Sequence, residues 1–394
     1  MCKWGVIQFY FIMNVLFISH DSGLYGANRS LLSLVQGLKQ FGVNSYVVCP
    51  SEGDFTEELH RQGIHCKIIP IQLCMAKYDT GNKISIFLRR MYEVLARFYN
   101  TLKVLPTLAK YAYSNNIDLV YTNSSVTIMG ILLAKIIKKP HVWHFREFAK
   151  LHYNYKLDFP IFIYNKLIRS SNANVFISKA LKNYFINKNK LNCNNYIIYN
   201  GIYPENQLSI NKAISISKDY IFLMVGLVSE NKGQMDAIMA ISEVIKKYPK
   251  TKLLIIGGGD IETCQKLIAE HQLFNNVEFV GYITDVDKYY KESDALLMCS
   301  KYEAMGRVTA EAMSHGLPVI GRDSGGTSEL INHNNTGLLY DGSVKQLKEM
   351  MILLMENNDL HDRIRVNAFK FAKENFTVEK YVQNVFRVIQ EALQ

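Results

Sequence analysis

The sequence predicts an α/β protein built from two doubly wound parallel sheets. Its 394 residues exceed one typical core and 48% of them are apolar, so two ordered domains are expected. Short apolar runs alternate with helix-length segments, and the alternation restarts after a polar stretch at 202–217. The predicted strands are 15–19, 45–49, 67–70, 119–122, 141–144, 174–177, 196–199, 220–225, 252–256, 277–280, 295–299, 318–321 and 337–340.

The polar stretch marks a predicted domain boundary. We expect an N-terminal domain at 1–205, a second domain at 206–375, and a final helix within 376–394 that packs back on the N-terminal domain. Ligands of parallel sheets bind beyond the C-terminal ends of the strands, so the site is expected in a cleft between the two facing domains.

An apolar run at the N-terminus, Trp4 to Ser19, is too short to span a membrane comfortably. Its second half has the pattern of a buried first strand. Residues 1–12 are therefore predicted to be a dispensable extension, with Met13 as an alternative start.

Cysteine usage and charge narrow the class of protein. The seven cysteines are scattered without a C-x-x-C pair, which indicates reduced thiols in the cytosol. Residues 1–200 hold 24 Lys and Arg against 10 Asp and Glu, a net charge of +14, whereas the remainder has 21 against 25, a net charge of −4. The N-terminal half is therefore suited to an acidic partner.

Basic and aromatic residues are interleaved between 83 and 103. Their spacing is compatible with an amphipathic helix on an anionic membrane surface, and equally with a solvated helix face. No helix-turn-helix, zinc-finger or RNP-type pattern supports nucleic-acid binding. The residues concerned are Lys83, Phe87, Arg89, Arg90, Tyr92, Arg97, Phe98, Tyr99 and Lys103.

Two glutamates eight positions apart, Glu303 and Glu311, are the most informative local feature. Glu303 and Gly306 lie in a predicted loop, and 308–315 is a predicted short helix that ends at Gly316. A helix N-terminus suits a phosphate, and flanking carboxylates accept hydrogen bonds from sugar hydroxyls. The segment is therefore typical of a nucleotide-sugar site.

Over nearly its whole length the chain resembles a GT-B fold glycosyltransferase of family 4, the retaining "glycosyl transferases group 1" type, in which two Rossmann-like domains face each other across a cleft. Besides the two glutamates, the resemblance rests on the order of several short motifs. These are Gly23 to Ser30, Asn123-Ser124, His144, Ile198 to Ile202, Val225-Gly226, Asn231 to Gly233, Gly257 to Gly259, and Gly325-Gly326 with Glu329.

The resemblance implies a donor site in the second half. Lys232 would bind the diphosphate as a point charge, Glu311 the ribose, and Glu303 the hydroxyls of the donor sugar. A solvent-exposed lysine and a surface acid in a first helical turn are the alternatives for Lys232 and Glu311. The other donor-binding candidates are Gly258, Met305, Gly306 and Arg307 in this half, together with Gly23 and Gly26 in the first half, whose loop would let the backbone approach the donor's phosphates or the acceptor.

In the first half, the resemblance implies that His144 faces the reaction centre, which makes His144, Glu303 and Lys232 the catalytic candidates. The candidates for acceptor binding are Asn28, Arg29 and Arg146. A lone histidine is also commonly structural, and a glycine loop after a first strand is also explained by a tight turn.

One position departs from the family pattern. An arginine commonly follows the glycine at the position of Gly226, and here that residue is Leu227. We expect Arg307 to supply the missing charge to the diphosphate. The acidic pair Asp285 and Asp287 resembles a metal-binding D-x-D, but Asp285 is better explained as a helix cap, so no metal or other cofactor is expected.

These observations predict a retaining glycosyltransferase that moves a sugar from a nucleoside diphosphate sugar to a lipid-linked or oligosaccharide acceptor. A role in surface polysaccharide synthesis (capsule, O-antigen or lipopolysaccharide) and a cytoplasmic location, peripheral on the inner face of the membrane, are expected. The alternatives are a nucleotide-sugar epimerase of the same fold and a non-catalytic nucleotide-sugar-binding protein. The glycine segment at 257–259 lacks the full dinucleotide-binding spacing, which argues against an oxidoreductase.

Overall fold

The structure, a computed structural model, describes residues 12–77, 82–186, 194–208, 210 and 219–394. The predicted extension at 1–12 lies outside these residues except for Ile12, as do residues 209 and 211–217 of the predicted boundary stretch. The described chain forms two compact units. The first unit comprises the described residues within Met1–Ile177, Phe185–Ile198 and Tyr381–Gln394. The second comprises those within Ser178–Tyr184 and Tyr199–Lys380.

The first unit contains a parallel sheet of seven strands. In chain order these are β1 (Met13–Ile18), β2 (Val43–Cys49), β3 (His65–Ile68), β5 (Leu119–Thr122), β6 (His141–Phe145), β8 (Ala173–Phe176) and β9 (Asn194–Ile197). Their spatial order is β3-β2-β1-β5-β6-β8-β9. Two short strands, β4 (Met75–Ala76) and β7 (Lys156–Leu157), form a separate antiparallel pair.

Helices connect these strands. They are α1 (Gly26–Leu38), α2 (Asp54–Arg61), α3 (Lys83–Ser114), α4 (Met129–Ile137), α5 (Ala149–Tyr153) and α6 (Ile161–Arg169). From Tyr381 onward, α15 (Val378–Leu393) also belongs to this unit, where the ring of Phe386 stacks on Phe41 at 4.4 Å. Strand β1, in the interior of the sheet, is fully buried from Val15 to Ile18, as expected of a parallel sheet covered by helices on both faces.

The second unit contains a parallel sheet of six strands in the order β12-β11-β10-β13-β14-β15. The strands are β10 (Ile221–Val225), β11 (Lys252–Ile256), β12 (Val277–Gly281), β13 (Ala295–Met298), β14 (Val319–Arg322) and β15 (Leu338–Tyr340). The helices are α8 (Gln234–Val244), α9 (Glu262–Glu270), α10 (Asp287–Glu292), α11 (Arg307–Ser314), α12 (Thr327–Leu330), α13 (Val344–Glu356) and α14 (Asn358–Asn375). Residues 179–184 of α7 (Lys179–Ile186) also belong to it.

This architecture confirms the predicted α/β class with two Rossmann-like parallel sheets. Every strand predicted from the sequence overlaps an observed strand. The pair β4 and β7 was not predicted, because two-residue strands carry no measurable period. Within the described residues, no helix is both long and apolar enough to cross a bilayer.

Candidate active site: loops at the strand ends

The loops at the C-terminal edge of the second sheet are held together by backbone contacts. The Gly226 N–H donates to the Ile256 carbonyl at 2.8 Å, and the Val228 N–H donates to the Gly258 carbonyl at 2.8 Å. The loops after β10 and β11 therefore run side by side. A Cβ on Gly257, whose φ is +146°, would lie 2.0 Å from the Gly226 oxygen, so this approach requires glycine.

The segment containing Glu303 is positioned by a second glycine contact. Gly325 follows β14 with φ +56°, and a Cβ there would lie 2.6 Å from the carbonyl oxygen of Glu303. The Gly326 N–H donates to the same oxygen at 2.6 Å. The glycine pair and the first glutamate, far apart in the sequence, thus form one packed unit at the end of the sheet.

Lys232 and Glu303 form an ion pair across two of these loops. The Lys232 Nζ lies 2.9 Å from Glu303 Oε2, and both side chains are partly buried. The loop that carries Lys232 is held in place because the Lys301 N–H donates to the Asn231 carbonyl at 2.9 Å. Partial burial strengthens the pairing and fixes where the ammonium group lies.

The second glutamate lies within α11. Gly306 precedes this helix with φ +89°, a left-handed conformation, and no side chain caps the helix N-terminus. Glu311 Oε1 accepts a hydrogen bond from Arg307 Nε at 2.7 Å, and Glu311 Oε2 accepts one from the Tyr290 hydroxyl at 2.8 Å. Both carboxylate oxygens are thereby held in fixed positions, on a residue about one turn into the helix.

Tyr290 is a contributor to the site that the sequence did not indicate. It is fully buried, and burial followed by the nearby Glu311 carboxylate raises its pKa well above the usual tyrosine value. The phenol therefore stays protonated and donates to Glu311 at all physiological pH values. The contact joins residues 21 positions apart on α10 and α11, so no local pattern could reveal it.

Two further donor candidates of the second unit, Met305 and Gly258, lie on the same loops. Met305 is buried, and its sulfur accepts a hydrogen bond from the Asn200 N–H at 3.3 Å. A Cβ on Gly258 would meet nothing within 4 Å, so the space beside this backbone is open. Leu227, which replaces the arginine of the family pattern, is 60% exposed.

Both acids of the pair at 285 and 287 accept hydrogen bonds, one from a neighbouring residue and one from a distant residue. Asp285 Oδ1 accepts from the Asp287 N–H at 3.1 Å, directly before α10, and Asp287 Oδ1 accepts from the Tyr203 hydroxyl at 2.6 Å. In the part of the chain that the structure describes, no group of three or more His, Cys, Asp or Glu side chains is placed to hold a metal ion.

In the first unit, the loop after β1 is organised by Asn28. Asn28 is buried, and its amide nitrogen donates to the carbonyls of Asp21 at 2.9 Å and Gly23 at 2.8 Å. Its Oδ1 accepts from the Ser19 hydroxyl at 2.7 Å. Since both amide N–H groups are used, Asn28 holds the glycine loop in shape, while acceptor binding by Asn28 stays a prediction.

The neighbouring candidates of this loop lie at the start of α1. Gly26 is the first residue of the helix, and Arg29 Nε donates to the Leu24 carbonyl at 3.2 Å. The Gly23 N–H lies 3.2 Å from Asp21 Oδ1, which accepts from it. The backbone of the loop at Gly23 and Leu24 is therefore held in shape by hydrogen bonds to the side chains of Asp21, Asn28 and Arg29.

His144 lies inside β6 and is fully buried. Its Nδ1 lies 2.5 Å from the Tyr121 hydroxyl, and its Nε2 has no hydrogen-bond partner among the described residues. Burial, followed by the charge of Arg146, holds the pKa of His144 well below its usual value, so the ring is neutral. Its contact with a substrate stays a prediction.

Arg146 lies directly beyond the end of β6 and is also buried. Its Nε donates to Asn123 Oδ1 at 2.9 Å, its Nη2 donates to the Tyr381 hydroxyl at 2.7 Å, and the guanidinium lies 5.9 Å from the Tyr381 ring centroid. Glu147 accepts hydrogen bonds from the hydroxyls of Ser124 and Ser125. The Asn123-Ser124 motif is therefore fixed by the residues that follow β6.

The candidates thus fall into two groups, one in each unit. Within the second unit the structure brings together Lys232, Gly258, Glu303, Met305, Gly306, Arg307 and Glu311 at one sheet edge. Within the first unit it places Gly23 on the loop after β1, Gly26, Asn28 and Arg29 at the start of α1, and His144 and Arg146 at the end of β6. Tyr381 is a further member of the group in the first unit. No sequence pattern indicated it, because it is 235 residues from its partner Arg146.

Comparison with known proteins agrees with this fold. The family model "Glycosyltransferase Family 4" matches residues 25–206, and "Glycosyl transferases group 1" matches residues 206–371. The two matches adjoin at residue 206 and include every candidate residue except Gly23. The chain belongs to the GT-B glycosyltransferases of the family 4 type, and it is a transferase.

Individual relatives are distant. An uncharacterized glycosyltransferase of Methanocaldococcus jannaschii is 29% identical over 371 residues, 88% of this chain and 89% of that protein. The poly(glycerol-phosphate) alpha-glucosyltransferase of Bacillus subtilis is 29% identical over 171 residues, which are 43% of this chain and 25% of that protein. The crystal structure of HepE from Anabaena in complex with UDP has a TM-score of 0.78 at 20% identity, over 96% of this chain and 100% of that one.

Proposed function

We propose that this protein transfers a sugar from a nucleoside diphosphate sugar to an acceptor hydroxyl, with retention at the anomeric carbon and without a metal ion. The observation that carries the proposal is the arrangement around α11. A lysine, an uncapped helix N-terminus and two oriented carboxylates meet at the C-terminal edge of one parallel sheet. These groups match the diphosphate, ribose and sugar of such a donor.

Each group has a distinct task in this proposal. The diphosphate competes with Glu303 for the Lys232 ammonium and lies against the N-terminus of α11. The carboxylate of Glu303 is then released to accept hydrogen bonds from the donor sugar. Glu311, held by Tyr290, accepts from the ribose hydroxyls. The complex of HepE with UDP supports a nucleotide of this kind as the donor's leaving group.

The chemical step relies on electrostatic stabilisation. The bond between the anomeric carbon and the diphosphate oxygen breaks, a bond to the acceptor oxygen forms, and the proton of the acceptor hydroxyl passes to the departing diphosphate. Negative charge grows on the departing diphosphate, where Lys232, Arg307 and the N–H groups of α11 are preorganised. His144, neutral and buried, would shape the acceptor side without changing charge near neutral pH.

For the acceptor we propose a lipid-linked or glycan molecule at the cytoplasmic face of a membrane, in the synthesis of a surface polysaccharide. The net charge of +14 over residues 1–200 supports an anionic acceptor or surface. The named activity of the Bacillus subtilis relative, on poly(glycerol-phosphate), supports an anionic polymer as one form that such an acceptor takes.

The test is release of nucleoside diphosphate from a panel of UDP-, GDP- and ADP-sugars in EDTA, with and without a membrane lipid extract. Glu311→Gln should raise the donor KM by about tenfold, because a carboxylate that accepts ribose hydrogen bonds contributes roughly 1.5–3 kcal/mol. The matched control is Glu270→Gln, at an exposed position at the end of α9.

Each outcome separates the proposal from its rivals. Release that depends on lipid extract, persists in EDTA and weakens in Glu311→Gln supports the proposal. Release that EDTA abolishes would contradict metal independence. A donor that is isomerised without any acceptor would identify an epimerase, and a donor that is bound without turnover under all conditions would identify a binding protein.

A further inference from the structure

Helix α3 exposes a continuous apolar stripe over its first five turns. Phe87, Tyr92 and Phe98 are 64%, 73% and 61% exposed, and each of the other members leaves about half or more of its surface exposed. The members recur at spacings of three and four residues, so they share one face of the helix. The stripe consists of Ile84, Phe87, Leu88, Met91, Tyr92, Leu95, Phe98, Tyr99 and Leu102.

The size of this stripe is unusual for a surface that only water contacts. It runs roughly 27 Å along the helix, from the rise per residue. With nine large side chains it exposes on the order of 900 Å² of mostly apolar area, whereas a soluble monomer typically exposes patches of a few hundred Å². We therefore expect another molecule or a membrane to cover this stripe, and call it the occupant.

Polar contacts on the opposite face fix the direction in which the stripe points. Arg97 Nε and Nη2 lie 2.7 and 2.8 Å from the two carboxylate oxygens of Asp158, a bidentate pair. Arg90 Nη2 donates to the Leu157 carbonyl at 2.8 Å. The helix thus turns guanidinium groups toward the body of its unit and apolar groups outward, the reverse of an ordinary surface helix.

The same contacts bring a second exposed apolar group to this region. Asp158 lies three residues before Ile161, the first residue of α6, and Ile161 and Phe162 are 59% and 67% exposed. Beyond Leu102 the pattern of α3 changes, because Val104, Leu105 and Leu108 are buried in the core of the unit. The continuous stripe therefore ends at Leu102, and Tyr113, near the end of α3, is exposed apart from it.

The charge around the stripe indicates its occupant. Of the six Lys or Arg at 83–114, Arg90 and Arg97 turn toward the body of the unit and Lys110 lies beyond the stripe. The exposed basic residues beside the stripe are therefore Lys83, Arg89 and Lys103, and the one acid of the segment is Glu93. Glu93 is used by Arg97 at 3.2 Å and by Arg89 at 3.8 Å. A second copy of the chain, paired along this stripe, would bring basic flanks together without acidic partners. An anionic bilayer offers both the apolar interior and the opposite charge.

We propose that the outward face of α3, with the start of α6, docks the protein on an anionic lipid bilayer, lying in the headgroup region parallel to the surface. The inference deepens the proposed function, and its biological purpose rests on that function. Docking would bring the transferase to an acceptor held in the same bilayer. Apolar burial supplies the affinity, and Lys83 and Lys103 supply the preference for anionic lipid.

The experiment measures co-sedimentation of the full-length protein with phosphatidylcholine vesicles, with and without phosphatidylglycerol. Wild type should bind the anionic vesicles, and more weakly as salt is added. Phe87→Glu with Phe98→Glu should weaken binding by about tenfold or more, because two charges must then enter the apolar boundary. The matched control is Phe274→Glu, which places the same charge at a phenylalanine that is 70% exposed in the second unit.

A second variant separates charge from apolar burial. Lys83→Glu with Lys103→Glu keeps the stripe and should remove the preference for phosphatidylglycerol. Binding that is equal in wild type and the double phenylalanine variant would overturn the proposal, as would no binding by wild type. Sedimentation velocity without lipid tests the rival occupant: a wild-type dimer that the phenylalanine substitutions dissociate would identify a second copy instead.

Donor binding, measured by calorimetry on the same preparations, distinguishes this inference from the proposed function. The stripe variants should bind the nucleotide sugar as wild type does, which also verifies that they are folded. Loss of vesicle binding with intact donor binding supports the docking surface. Wild type that binds vesicles but no nucleotide sugar would contradict the proposed function and leave the docking surface standing.

Discussion

Arg307 has two different ways to act on a donor. It can contact the diphosphate directly, in place of the arginine that Leu227 replaces, or it can act through Glu311, whose Oε1 accepts from its Nε at 2.7 Å. The two routes make different demands on the ligand. The first requires phosphate groups, whereas the second concerns the ribose, which a nucleoside also carries.

We predict that Arg307→Met weakens binding of the nucleoside diphosphate by about tenfold and leaves binding of the corresponding nucleoside unchanged, since a charge-assisted hydrogen bond contributes roughly 1.5–3 kcal/mol. Calorimetry with both ligands measures this. Arg363→Met, at an exposed position on α14, is the control. An equal loss for nucleoside and nucleoside diphosphate would show that Arg307 acts by orienting Glu311.

The sequence indicated candidate residues where they belong to motifs, and it gave no sign of residues that are defined only by contacts between distant elements. Lys232 and Glu303 were expected from their motifs, and the structure pairs them at 2.9 Å. Tyr290 and Tyr381 carried no motif, because their partners belong to other elements. A buried tyrosine hydroxyl joins the site only because the fold packs it against a distant residue, and no local sequence pattern reveals such a contact.

At the scale of elements, the glycine contact between the loops after β13 and β14 positions Glu303. We predict that Gly325→Ala lowers both stability and donor affinity. An alanine at φ +56° costs about 1–2 kcal/mol, and its Cβ would lie 2.6 Å from the Glu303 oxygen, which forces the loop to move at a further cost of about 1–3 kcal/mol. Thermal unfolding and donor calorimetry measure the two effects.

The matched control for Gly325→Ala is Gly281→Ala. Gly281 also has a positive φ, +85°, but a Cβ there meets nothing within 4 Å. It should show the conformational cost alone and bind donor as wild type does. If both variants lose the same stability and Gly325→Ala keeps its donor affinity, the close approach does not position Glu303.

Element prediction depended on how much signal each segment carries. The strands of both sheets were predicted because apolar runs bounded by turns are strong signals, and the short helix after Gly306 was predicted to within one residue at each end. Helix α3 was recognised as amphipathic, but its outward orientation depends on the contact of Arg97 with Asp158, 61 positions away. Spacing alone therefore left a membrane surface and a solvated face as equal alternatives.

At the scale of the whole molecule, one buried acid makes stability depend on pH. Asp294 lies before β13 and is buried, and burial raises its pKa from 3.8 to about 6 although its Oδ2 accepts from the Ile221 N–H at 2.7 Å. A carboxyl whose pKa is raised on folding favours the folded state at low pH. This contribution is lost as the pH rises from about 4 through about 6.

We predict that Asp294→Asn leaves the thermal midpoint near that of wild type at about pH 4 and raises it above about pH 7. The amide oxygen can still accept from Ile221, and no charge remains to be buried. The gain corresponds to roughly 1–3 kcal/mol, from a shift of about two pKa units reduced for residual solvent contact. Thermal unfolding at both pH values measures it.

The comparison separates the effect of the Asp294 carboxyl on stability from that of a second buried titratable group beside it. The ring Nε2 of His361 lies 3.1 Å from the Asp294 carbonyl oxygen, and burial lowers the pKa of His361, which favours the folded state at higher pH. Both proteins keep His361, so the difference between them reports the carboxyl. Asp219→Asn, at an exposed position before β10, should change neither midpoint. A midpoint difference that is the same at both pH values would show that the Asp294 carboxyl is not the cause.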